Sequence, residues 1–146
     1  MTSPLPFDDA HFAGGQPTLE ELAQLAHDGV RTVIDLRASG ETVDYDESAE
    51  AARLGMRYRS LPITGPGDLD RERVERFGRM LDEARREGGV LIHCASSNRA
   101  GALVALDEAL NRGRPLDVAL ERGRAAGLAA LEPAVVALVR REEATR

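Results

Sequence analysis

Lysine and tryptophan are absent from these 146 residues, cysteine occurs once, and aromatic side chains make up only 3%. Each absence excludes something. One cysteine permits no internal disulfide and no cysteine-rich zinc centre. The three histidines fall into no His-x-x-x-His or similar ligand spacing, so neither a metal nor another cofactor is expected. With so few rings, the core must be aliphatic. No apolar run reaches the roughly 18 residues that a membrane span needs. The stretch Met1 to Asp9 lacks the basic and apolar regions of a secretory signal. A cytoplasmic chain without membrane contact is the expectation. The 19 basic residues, all arginine, face 25 acidic ones for a net charge of −6. Nucleic acid is therefore not an expected partner, because a phosphate backbone demands a basic face. The length suits one hydrophobic core. Residues 1–146 read as a single domain with its core at about 12–130.

What is present alternates helix and strand. Residues 1–17 read as an irregular lead-in broken by Gly14, Gly15 and Pro17. Thr18 with Glu21 forms a capping-box signature for a helix that Gly29 ends. Val30 to Leu36 is a β-branched run that predicts a buried strand, followed by a polar turn from Arg37 to Glu41. A helix is expected from Asp44 to Leu54, a strand with one exposed face from Met56 to Ile63, and a loop from Thr64 to Asp68. A long helix follows from about Leu69 to Arg86 and ends at Gly88-Gly89, before the apolar strand Val90-Leu91-Ile92. Three further helical patterns cover about 99–111, 116–126 and 132–142. Strands spaced by helices imply parallel pairing through crossovers. The expected fold is α/β: a three-layer single domain whose mainly parallel central sheet of about four or five strands is flanked by helices, with a helical C-terminal third.

Chemistry concentrates between Val90 and Leu103. An apolar strand runs into a short polar loop and the loop into a helix, so loop amides and a helix N-terminus converge on one anion-binding point. In open α/β sheets such a loop lies where ligands bind. Cys94 opens the loop, and both the amide dipoles and Arg99 favour its thiolate. Arg99 is suited to fork two oxygens of a tetrahedral oxyanion. His93 either bonds the loop backbone or is a satisfied core histidine. A buried structural thiol is the bland alternative for Cys94. Asp35 and Arg37, at a strand end with Glu41 beyond them, either line the rim or pin the loop to the sheet. Arg57 and Arg59 read as a solvated edge, and the alternating charges from Arg71 to Arg79 and from Glu83 to Glu87 as a solvent face.

The run His93-Cys94-Ala95-Ser96-Ser97-Asn98-Arg99-Ala100-Gly101 resembles the phosphate loop of cysteine-based, dual-specificity-like protein phosphatases. More narrowly, the chain is similar to the bacterial phosphatase-like domain found in β-lactamase hydrolase-like proteins. Gly14-Gly15-Gln16-Pro17-Thr18, the Gly29 to Arg37 segment with Glu41, and Leu54 to Tyr58 before Leu61-Pro62-Ile63 carry that narrower likeness. It spans about residues 12–130. The resemblance implies phosphomonoester hydrolysis without a cofactor. Cys94 would attack phosphorus to give a phosphocysteine. Arg99 and the amides of Ala95, Ser96, Ser97 and Asn98 would hold the phosphate oxygens. An Asp on the loop after the Pro-containing strand would serve as general acid. Asp68 is assigned that role and Asp70 the helix cap, with the reverse as the alternative. The expected partner is a phosphorylated substrate or a small oxyanion such as phosphate or sulfate.

The chain departs from the phosphatase pattern in three places. Four residues separate Cys94 from Arg99, where the usual signature has five. Ser97 stands where the family often has Gly, at a turn that needs positive φ. Ala100 follows Arg99 and supplies no hydroxyl to the sulfur. The four-residue spacing also matches the active loop of rhodaneses, which makes sulfur transfer through a Cys94 persulfide one competing reading. A phosphate- or sulfate-binding module with little turnover is the other.

Overall fold

The computed structural model describes residues 5–8, 11–38, 40–41 and 43–145, the first four as backbone only. Among these residues five strands form one sheet: β1 (Leu5–Asp8), β2 (His11–Gly14), β3 (Val30–Asp35), β4 (Arg57–Ser60) and β5 (Gly89–His93), in the order β1-β2-β5-β3-β4. The β1 and β2 strands pair antiparallel and every other neighbour pairs parallel. The expected mainly parallel sheet is therefore present. The irregular lead-in is corrected: residues 5–8 and 11–14 supply two strands of the sheet. They carry no β-branched residues and include a proline and a glycine, so their strand character comes from pairing, β2 with β5 and β1 with β2, rather than from local propensity.

The helices are α1 (Leu19–His27), α2 (Glu47–Arg53), α3 (Arg71–Glu87), α4 (Asn98–Leu106), α5 (Leu116–Ala125) and α6 (Glu132–Ala144). Thr18 and Glu21 close the predicted capping box on α1. Asp46, not Asp44, caps α2, so that helix starts three residues later than the pattern suggests. The last helical pattern before Gly113 splits, because α4 opens into a wider turn over Asp107–Asn111. Gly89 belongs to β5, and Gly88 alone ends α3, with φ 145°.

Strand alternation divides the core between two faces. Ile34, Val90 and Ile92 join α3, α4, α5 and α6 in the larger cluster, whereas Val33 and Leu91 join α1 and α2 in the smaller one. The result is the expected three layers. In α4 every residue from Ala100 to Leu106 is buried. Its small side chains let neighbours approach closely: a Cβ on Gly101 would stand 2.0 Å from the Leu128 amide nitrogen. At the opposite edge, β4 is exposed; Arg57 pairs with Glu87 at 3.4 Å and Arg59 with Glu83 at 3.0 Å, as a solvated edge should. Among the described residues no helix is long and apolar enough to cross a membrane.

Candidate active site

Parallel pairing places the C-terminal ends of β2, β3 and β5 side by side, with Gly14 and Asp35 both in register with His93. The loop that leaves β5 there is held from both sides. On one side the Cys94 amide donates to the Gly14 carbonyl at 3.3 Å and the Gln16 amide to the Ala95 carbonyl at 3.3 Å. Gly15 is required at this crossing, since a Cβ would meet the Ala95 oxygen at 2.6 Å. On the other side, the turn between α5 and α6 clamps the loop. The Ser97 hydroxyl donates to the Ala126 carbonyl at 2.7 Å, and Asn98 Oδ1 accepts from the amides of Ala129 at 2.9 Å and Leu131 at 3.3 Å.

Ser97 is the one non-glycine residue with positive φ among the described residues, at 76°. The sequence places a residue with a Cβ where the turn needs the left-handed region, and the structure adopts that region regardless, at a cost of about 1 kcal/mol. Asn98 is the first residue of α4, and Ser97 stands at its cap position with its hydroxyl turned to Ala126 instead of the helix amides. The N–H groups of Ala95 and Ser96 meet no acceptor among the described residues. Unpaired amides at a loop that enters a helix form an anion cradle.

Cys94 is fully buried at the base of this loop. Arg99, in the first turn of α4, faces it. Its guanidinium gives Nη1 and Nη2 to the two carboxylate oxygens of Glu41, at 2.6 Å each, and a further Nη1 hydrogen to the Ile63 carbonyl at 2.8 Å. These bonds hold the Arg99 pKa above its ordinary value, against burial, and the Cys94 sulfur adds to the effect. Three of the five N–H groups are thus taken. The Nε–H and the outer Nη2–H lie side by side on the edge that remains, and the Cys94 sulfur also interacts with the guanidinium.

Beneath the loop lies a buried polar network that sequence reasoning saw only in part. Asp35 accepts from the Arg37 amide at 2.9 Å, from the Arg37 guanidinium at 2.8 Å and from the Tyr58 hydroxyl. Burial pushes the Asp35 carboxyl up, but these bonds and His93 bring it below its ordinary value. His93 resolves both of its alternatives at once: Nε2 bonds Glu47, and Nδ1 lies 3.4 Å from the Cys94 carbonyl. Glu47 also accepts from Gln16 at 2.8 Å and Arg37 at 3.1 Å, and Gln16 donates to Tyr45 at 2.9 Å. Glu47 was not singled out in the sequence. Its signal was available, because it precedes Ala51 by one helical repeat on the face of α2 that meets the sheet. The ligand atoms of Asp35, Glu47 and His93 cluster closely enough for a metal ion. Arg37 bridges both carboxylates and supplies one positive charge against their two negative ones.

The two loop aspartates take different places. Asp70 caps α3 by accepting from the Arg73 amide at 2.8 Å. Asp68, in a short 3₁₀ turn over Pro66–Asp68, accepts from the Thr64 amide at 2.8 Å and from the Thr64 hydroxyl. Those bonds hold its carboxyl below the ordinary value.

This arrangement has relatives. A curated relative, the Beta-lactamase hydrolase-like protein of Xylella fastidiosa, is 36% identical over 101 residues, 66% of this chain and 23% of that protein. The chain thus spans about a quarter of the relative's length. The P. aeruginosa TpbA crystal structure, a Cys-to-Ser variant in complex with phosphotyrosine, matches with a TM-score of 0.74 at 26% identity, covering 94% of this chain and 83% of that one. PTPMT1 in complex with PI(5)P reaches 0.80 at 18% identity, over 99% of this chain and 97% of that one, and shows the same fold. A family profile described as "DSP-PTPase phosphatase fused to NAD+ Kinase" matches residues 6–132, which contain the whole loop, its clamp and the network beneath it. By that match the chain belongs to the DSP-PTPase phosphatase family.

Proposed function

We propose that this domain hydrolyses phosphomonoesters with Cys94 as the nucleophile. One observation carries the reading. Glu41 and the Ile63 carbonyl take the end and one outer hydrogen of the Arg99 guanidinium, leaving its side edge for two oxygens of a phosphoryl group beside Cys94. The amides of Ala95 to Asn98 then serve the remaining oxygen charge.

In the first step the Cys94 sulfur bonds to phosphorus, the ester P–O bond breaks, and the departing oxygen takes a proton. In the second, water attacks phosphorus and the S–P bond breaks. The thiolate is regenerated and inorganic phosphate leaves. Asp68 is the proton donor and then the base that activates water, and Asp70 the cap. For that role Asp68 must exchange its Thr64 bonds for the leaving oxygen. The substrate is a phosphorylated molecule, a class supported by the phosphotyrosine bound to TpbA and the PI(5)P bound to PTPMT1. Residues 1–146 act as one phosphatase domain, supported by a family match that runs through nearly all of the described core.

The test is hydrolysis of p-nitrophenyl phosphate by the wild type and Cys94→Ser, with and without vanadate. Vanadate-sensitive turnover that falls to background in the variant is expected. Turnover that survives the substitution overturns the assignment, and silence with vanadate still bound reduces the domain to a binding module.

A further inference from the structure

Beneath the phosphate loop, two carboxylates, one guanidinium and one imidazole are sealed from water together. Side-chain exposure is 3% for Asp35, 2% for Glu47, 11% for Arg37 and 0% for His93. Arg37 neutralises only one of the two acids. A buried net charge is costly, so the cluster calls for a second cation. His93 is the candidate in contact. Both of its ring nitrogens face oxygens: Nε2 meets Glu47, and Nδ1 lies 3.4 Å from the Cys94 carbonyl and 3.9 Å from Asp35 Oδ1. A carbonyl cannot donate. Asp35 Oδ1 already accepts from the Arg37 amide and Nε. The other Glu47 oxygen accepts from Gln16 and Arg37, so Glu47 is a carboxylate. A ring whose two nitrogens both meet acceptors carries two N–H groups.

We propose that Glu47 is a positioning residue that holds the second proton on His93, so that an imidazolium stands against the Cys94 carbonyl and favours the Cys94 thiolate. This inference rests on the reading of Cys94 as a nucleophile. The other groups that face the ring do not replace Glu47. Asp35 is committed to Arg37 and Tyr58, Tyr45 bonds the Pro17 carbonyl and accepts from Gln16, and Arg99 acts on Cys94 from the α4 side. His11 lies at the far end of the same strand pair, opposite Val90.

The chain has one cysteine and no tryptophan, so the ultraviolet thiolate band, taken against Cys94→Ser, reports one group. Burial holds both tyrosines above their ordinary pKa, clear of the titration. Glu47→Gln keeps the shape and removes the charge. The midpoint of the thiolate titration is expected to rise by about one pH unit, a tenfold loss of thiolate on the acid limb. In a His93→Asn background the same substitution is expected to leave the midpoint in place, because Glu47 acts through His93. Nitrogen-15 spectra of the wild type should show both His93 ring nitrogens protonated at neutral pH, a readout that survives if the variants fail to fold. An unmoved midpoint in folded Glu47→Gln, an equal shift without His93, or a neutral His93 tautomer overturns the proposal. None of these measurements needs turnover. A shifted thiolate in a protein without phosphatase activity therefore sinks the phosphatase reading alone.

Discussion

Glu41 and Arg99 meet end to end, with two N–H···O bonds of 2.6 Å between guanidinium and carboxylate. The pair joins the turn after β3 to the first turn of α4, and it decides which edge of Arg99 is offered to a ligand. Two effects of Glu41 oppose each other. Its charge repels an incoming dianion, and its geometry aims the fork that receives that dianion. The carboxylate keeps a third of its surface in solvent, which screens the repulsion, whereas misaiming a bidentate clamp carries no such discount.

Orientation should therefore win. Glu41→Ala is expected to lower kcat/KM about 10- to 100-fold and to weaken vanadate inhibition in parallel. Glu41→Gln, which keeps one acceptor, should fall between that variant and wild type. Tighter vanadate binding by Glu41→Ala would show that repulsion dominates and that the carboxylate acts as a gate.

Ser97 sets local strain against a hydrogen bond. Its left-handed φ of 76° costs about 1 kcal/mol relative to glycine, and its hydroxyl bond to Ala126 returns about 1 kcal/mol. Ser97→Gly removes both and should unfold in denaturant within about 0.5 kcal/mol of wild type. Ser97→Ala keeps the strain and loses the bond, so a destabilisation of about 1–2 kcal/mol is expected. Equal loss in both variants would mean that the clamp, not the φ angle, limits the loop.

Much of this architecture is legible in the chain itself, and the exceptions share one cause. Thr18 with Glu21, the apolar β3 and β5 segments, and Cys94 with Arg99 are all local signals, spelled out within a few residues, whereas the positive φ at Ser97 is implied only by the likeness to a family that often has Gly there. The strands β1 and β2 are strands because β5 lies beside β2, and no window of their own sequence contains that neighbour. Glu47 is similar. It reads as an ordinary helical glutamate until the fold brings His93, Arg37 and Gln16 to it across three different elements. Asp68 and Asp70 are close in sequence but divide by geometry, one into a cap and one into a turn with Thr64.

That division gives a separable pair of outcomes. Asp70→Ala removes the α3 cap and should cost about 1 kcal/mol of stability with kcat nearly intact. Asp68→Asn should leave stability close to wild type, since the Asn amide oxygen can still accept from Thr64, and should lower kcat about 100-fold for a poor leaving group such as an alkyl phosphate. For p-nitrophenyl phosphate, whose leaving group needs little protonation, the loss should be smaller. The reverse pattern would exchange the two roles.

Gly15 tests whether the loop's position matters apart from its residues. Alanine there would drive a Cβ to 2.6 Å from the Ala95 oxygen, a backbone atom that cannot step aside without moving the loop. The Gly15→Ala protein should keep its helical content while vanadate affinity falls at least about tenfold. Retained affinity would mean that the loop tolerates displacement.

Asp35 ties the network to pH. Burial raises its carboxyl, but the bonds from Arg37 and Tyr58 and the proximity of His93 leave it below the ordinary 3.8. Glu41 lies below the ordinary 4.5, through its Arg99 bonds despite some burial. A carboxyl depressed on folding contributes stability that is fully present above its unfolded value and lost as pH falls through its folded value. The melting temperature should therefore hold from neutrality down to about pH 5 and drop below about pH 4. Asp35→Asn leaves Arg37 without its closest partner and should cost about 3 kcal/mol at pH 7. The decisive quantity is the gap between the two proteins. It should narrow as pH falls, because protonation of Asp35 does to the wild type what the substitution has already done to the variant. A gap that stays constant from pH 7 to 3 would show that the carboxylate's charge contributes nothing and that only its shape holds β3 to the loop.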